Sequence, residues 1–168
     1  MKRLFGAAVL LATCLGAFGA AVAADDDRRR YVKTPTGFLM VLRRGDDVFA
    51  EVTKLAEREK FGGASLTGIG FLETATFGFY DFEKKAFDPR TFSKVEMASL
   101  TGSIAWQSGK PSIHAHAAVS DATFATYGGH ALALTVGTGS AEITVTVHSE
   151  RLEREVDPEI GANVLQLR

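Results

Sequence analysis

A chain of 168 residues, 46% of them hydrophobic, is long enough to bury the core of one domain and short for two. Its 19 Lys and Arg stand against 20 Asp and Glu, a formal net charge of −1, so it lacks the basic excess that a nucleic-acid-binding chain carries. A single cysteine, Cys14, excludes an intrachain disulfide framework.

Lys2 and Arg3 precede an uncharged apolar stretch over residues 4–21, and Ala21-Val22-Ala23 puts small residues where a signal peptidase reads them. Residues 1–24 are expected to be a cleaved secretory signal, giving a periplasmic or secreted product with no membrane span. A retained anchor is the alternative, because the stretch approaches the roughly 20 residues that cross a bilayer. Cleavage removes Cys14 and takes 24 of the 168 residues, leaving 144; 17 basic residues then face 20 acidic ones, a net charge of about −3.

Residues 25–36 read as a mobile charged leader that opens with three Asp and three Arg, and residues 37–168 as a single domain. A buried strand over 38–43 leads through Gly45-Asp46-Asp47 into a helix. Val48, Val52, Leu55 and Ala56 recur at helical spacing, Asp46 is the expected N-cap, and Gly62-Gly63 the expected stop. Short β segments follow at 64–69, 74–80, 94–101, 103–106, 112–119, 131–136 and 141–147, with a polar loop over 81–90. One strand, one main helix and then many strands predict an α+β domain built on a largely antiparallel sheet.

The chemistry concentrates in His114-Ala115-His116. Strand alternation sends residues i and i+2 to one face, so the two imidazoles stand side by side, their Cα atoms about 6.5–7 Å apart. Ile113, Ala115, Ala117 and Val119 make the opposite face apolar and inward. Gly128-Gly129 can take a sharp bend that swings His130 back over the strand. Three neutral imidazoles at about 2.0–2.1 Å suit a divalent metal, zinc or a similar borderline ion, and leave a fourth position open. Without that convergence, the same residues are surface or interface histidines with ordinary hydrogen bonds.

A reactive centre would also need a general acid or base. Asp121, Glu73, Asp81 and Glu96 are candidates, and Asp121 is the best placed, between the paired histidines and His130. It equally suits a turn residue that satisfies local amides, or a group that orients a ligand histidine. His148 is considered as a fourth ligand, although a histidine on the polar face of an alternating strand needs no special role. Tyr80, Tyr127 and Trp106 are left to packing.

Several stretches, taken in order, resemble the PPC family, the plants and prokaryotes conserved domain. They are Gly45-Asp46-Asp47-Val48, Gly68-Ile69-Gly70, Gly78-Phe79-Tyr80-Asp81, Leu100-Thr101-Gly102-Ser103-Ile104, Pro111 before the paired histidines, Ser120-Asp121, Tyr127-Gly128-Gly129-His130 and Gly161-Ala162-Asn163-Val164-Leu165. The resemblance implies a compact α+β homotrimer whose prokaryotic members hold a metal on three histidines, here His114, His116 and His130. It also implies a fold similar to that of acetolactate decarboxylase, a zinc enzyme, which is analogy of fold and names no reaction. The chain departs from the plant pattern: it has no AT-hook, and it opens with an export signal.

Three readings follow. The first is an exported, trimeric metal-binding protein that offers an open position to water or a small oxygenated ligand. The second is a DNA-binding module, suggested by the wider family and disfavoured by the charge balance. In the third, a non-catalytic assembly protein, any metal only fixes the trimer. Whether a reaction is catalysed, and on what substrate, is left open by the residues.

Overall fold

Phe38, Met40 and Leu42 alternate along residues 37–43 and are all buried, and this period of two makes the segment a strand with one inward face. The structure, a computed structural model, describes residues 30–167. The expected signal and the start of the charged leader lie outside the described residues. Within them the elements run β1 (Tyr31–Thr34), β2 (Gly37–Arg43), α1 (Val48–Glu59), β3 (Gly63–Asp81), β4 (Ala86–Gln107), β5 (Lys110–Ser120), β6 (Thr126–His148), β7 (Glu153–Val156) and β8 (Asn163–Gln166). The outcome is the expected α+β architecture: a largely antiparallel eight-stranded sheet with one helix after the first core strand.

Several local expectations are corrected. Tyr31–Thr34, assigned from sequence to the leader over 25–36, pair with β2, because Tyr31 packs its ring edge-on against Phe38. The helix is capped by Asp47 rather than Asp46: the Asp47 side chain accepts from the Ala50 amide at 2.8 Å, while Asp46 accepts from the Arg43 amide and the Arg30 guanidinium. It ends at Lys60, which takes the left-handed conformation at φ 54° and donates its amide to Ala56, ahead of Gly62-Gly63. The loop expected over 81–90 is mostly strand. Asp81 accepts from the amides of Glu83 and Lys84, closing a tight turn, and pairing of β3 with β4 begins at Ala86.

The short segments at 64–69 and 74–80 are one strand, β3. Likewise β4 joins 94–101 with 103–106, and β6 joins 131–136 with 141–147. Register shifts interrupt the pairing at Gly68/Gly70, Gly70/Leu72 and Leu72/Thr74, and such irregularities bend a strand without ending it.

β3 pairs with β4 on one side and β6 on the other, and β5 pairs with both β4 and β6. Those four strands therefore close a circuit of hydrogen bonds. Their inner faces bury Leu66, Leu72, Leu100, Ile104, Ala115, Ala117, Val119, Leu134, Ile143 and Val145 together with Val48, Val52, Leu55 and Ala56 of α1. Outside the circuit, β2 and β1 extend the sheet beyond β6, and β7 joins β4 in parallel at Trp106, so that β1 and β8 are the two ends of the strand order. Among the described residues no helix is long and apolar enough to cross a membrane.

Candidate metal centre

The histidine site grows out of strand register. In β5, His116 lies opposite Thr101 of β4 and opposite His130 of β6, while His114 lies opposite Ser103 of β4. Directly paired residues share a face, so Thr101, Ser103, His114, His116 and His130 all stand on the outer side of the circuit, away from the core. The ring centroids of the three histidines are 5.4 Å (His114 to His116), 5.0 Å (His114 to His130) and 5.3 Å (His116 to His130) apart. That is nearly an equilateral triangle.

One nitrogen from each ring lies within 4.8 Å of the others. A metal bound at about 2.05 Å with tetrahedral angles requires nitrogens about 3.4 Å apart, so modest side-chain rotations close the set. The donor chemistry fits as well. Burial, then the neighbouring His114 and His116 and the charge of Arg154, push His130 down to about 4. Burial and then Arg154 lower His114 in the same direction. Imidazoles held neutral are the form that ligates a metal. Three histidines with no carboxylate among them could hold a divalent ion.

The reversal that brings His130 to the site is not the one expected from Gly128-Gly129. Both glycines lie inside β6, opposite Ala118 and Ala117 of β5. The turn is at residues 121–125, where Phe124 takes φ 64°. Gly128 serves a different need: a Cβ there would sit 2.6 Å from the Ala117 carbonyl oxygen, so only glycine lets β5 and β6 approach this closely.

A second glycine shapes the wall of the site. His130 also pairs with Gly78 of β3, and a Cβ on Gly78 would lie 2.7 Å from the Phe87 ring. The space is taken by Phe87 itself, stacked on His130 at 4.5 Å between centroids and 27° between planes. Tyr80 packs edge-on to Phe87 at 5.0 Å and donates its hydroxyl to the Ile160 carbonyl in the connection between β7 and β8. Lys85 donates to the Pro158 carbonyl of the same connection. At its other end Asn163 donates to Gln107 and Ser112. The β7–β8 hairpin therefore lies across the outer face beside the histidines, and from it Arg154 donates Nη2 to the Ser103 hydroxyl at 2.6 Å.

The other candidates are not brought together with this trio. Asp121 begins five residues beyond His116, about 16 Å along an extended chain. Its Oδ1 accepts from the Thr123 amide at 2.8 Å, the Thr123 hydroxyl at 2.6 Å and the Ala125 amide at 3.2 Å, and its Oδ2 from the Tyr127 hydroxyl at 3.3 Å. These bonds, led by those from Thr123, hold its carboxyl below the usual range, as a turn anchor requires. Asp81 anchors the β3–β4 turn, and neither Glu73 nor Glu96 joins the histidine group. His148 is hydrogen-bonded to Ser65 at 3.0 Å, at the far end of β6. Tyr127 stacks on Phe92, and Trp106 donates its indole N–H to the carbonyl of Phe61, just past the end of α1. Sequence reasoning missed Phe87 and Arg154, the two side chains that flank the trio.

A solved structure from Ralstonia eutropha JMP134, of a protein named for a conjectured DNA-binding role, is 62% identical. It superposes with a TM-score of 0.82 over 85% of this chain and 99% of that one. The metal-containing protein of Archaeoglobus fulgidus is 28% identical, with a TM-score of 0.69 over 77% of this chain and 92% of that one. Acetolactate decarboxylase from Bacillus subtilis, 12% identical with a TM-score of 0.53 over 76% of this chain and 59% of that one, shares the fold alone. Among curated proteins no significant match was found. Residues 29–149 match the model of the Plants and Prokaryotes Conserved (PCC) domain, and the chain belongs to that family.

Proposed function

We propose that this protein is an exported, homotrimeric metal-binding member of its family. His114, His116 and His130 hold one divalent ion, zinc by preference, and leave a position open to water or a small oxygenated ligand. The observation that carries the reading is the near-equilateral triangle of rings, with donor nitrogens within 4.8 Å and no carboxylate in the group. A bound ion of this kind supplies Lewis acidity and lowers the pKa of its water toward 7.

The residues around it orient and exclude. Phe87 fixes the plane of the His130 ring by stacking and keeps water from one side of it. The backbone pairing of His116 with His130 across the β5–β6 hairpin sets the spacing of two ligands. The export signal over residues 1–24 supports an extracytoplasmic address, where a chain without cysteine outside that signal has no thiol to oxidise.

Metal analysis of the purified protein tests the reading: about one ion per subunit is expected, and His114→Ala combined with His116→Ala should abolish it while the protein stays folded. Full metal content in that double variant rejects the assignment. A DNA-binding reading is favoured by the name of the Ralstonia relative and opposed by the balanced charge. A titration against duplex DNA at increasing salt decides it, since affinity that persists at physiological salt would install DNA as the partner.

A further inference from the structure

We propose that Arg154 is the anion anchor of this site and that the ligand taken at the metal's open position is a small carboxylate. The inference rests on the metal-binding reading above and deepens it.

Arg154 is a charged side chain that is only 4% exposed, in a hairpin where its strand neighbours Glu153 and Glu155 point elsewhere by alternation. Its guanidinium is incompletely satisfied. Nη2 donates to the Ser103 hydroxyl, while Nε is buried with no hydrogen-bond partner among the described residues. Leaving a buried charged donor unpaired is costly, and a fold keeps such a group where something else completes it. Ser103 is the cross-strand partner of His114, so the guanidinium that donates to it lies on the same face as the histidines.

Charge balance gives the class of ligand. With three neutral imidazoles, a divalent ion and a guanidinium, the loaded site carries three positive charges and no carboxylate of its own. The planar fork of an arginine matches the two oxygens of a carboxylate, and a carboxylate oxygen is also a good ligand for zinc-like ions. Phe87, stacked on His130, supplies an apolar surface beside the trio, suited to the short hydrocarbon part of such a molecule. A neutral alcohol or amide satisfies the metal and leaves the arginine unanswered.

The test uses the full-length mature protein loaded with Co²⁺, with acetate as the probe and acetamide as its neutral match. Metal content is measured first, and binding is followed by calorimetry and by the visible spectrum of the metal. The wild type should bind acetate with a spectral change and bind acetamide far more weakly. Arg154→Gln should keep its metal and lose acetate affinity by at least about tenfold, the worth of a charge-assisted hydrogen bond. If that variant does not fold, Arg154→Lys keeps the buried charge, removes the fork, and should show the same direction of loss. Unchanged acetate affinity in the folded variant with metal bound overturns the anchor alone. Failure of the wild type to take up metal overturns both the anchor and the reading beneath it.

Discussion

Along β5 the inner residues Ala115, Ala117 and Val119 are 2%, 7% and 0% exposed, whereas His114 and His116, interleaved with them, stand open on the other face. One strand thus serves two ends. The inner face is tied to α1, β4 and β6 by packing that many apolar residues share, so its energy is spread widely. The outer face makes few contacts that stabilise the fold, and what it has is arranged around three nitrogens, a stacked phenyl ring and a buried arginine. Substitutions should therefore separate cleanly into those that cost stability and those that cost ligation.

The sharpest contrast is between Leu100→Ala and His114→Ala. Leu100 lies opposite Ala117 on the inner face, and its truncation should cost about 2–5 kcal/mol in a urea titration. His114→Ala should move the unfolding midpoint of the metal-free protein little, about 0.5 kcal/mol at most, yet lower metal affinity by orders of magnitude. An equal loss of stability from both would erase the distinction. Gly128→Ala bridges the two regimes: a Cβ 2.6 Å from the Ala117 carbonyl forces β5 and β6 apart, costing about 1–3 kcal/mol and weakening metal binding through the His116–His130 pair.

A smaller effect is expected from Gly78→Ala, which displaces Phe87 from His130. Metal affinity should fall several-fold with little change in melting temperature, and a simultaneous Phe87→Ala should add nothing further. Smallest is Asp121→Ala. It should lower the melting temperature by a few degrees and leave metal content untouched, because its carboxylate is spent on the β5–β6 turn. As that carboxyl is held below its ordinary 3.8, its contribution is present above that pH and is lost as pH falls through the lowered value. A loss of metal on replacing Asp121 would return it to the site.

Much of this contrast was legible in the residues themselves. Period-two alternation is a local property, so the pairing of His114 with His116 on one face, and of Ala115 with Ala117 on the other, could be read directly. That His130 joins them was also anticipated, but for a different reason than the one the fold uses. The expected glycine bend is a close approach of two strands, and the reversal belongs to Asp121 and its local acceptor bonds. Register between strands is a nonlocal quantity, set by packing that no short window of sequence contains. The same holds for Arg154. Within Glu153-Arg154-Glu155 it looks like one charge in a solvated run, and only the parallel pairing of β7 with β4 at Trp106 buries it. Phe87 was hidden by the charged and turn-forming residues around it, which read as a loop until β3 and β4 are paired across them.

The strand order terminates at β1 and β8, each four residues long, but among the described residues the first half of β4, residues 86–95, also pairs on one side only, with β3. The two terminal strands are too short to template an incoming chain, so any strand that adds to this sheet from outside finds its longest run of free backbone groups along residues 86–95, at the Phe87 end of the histidine face.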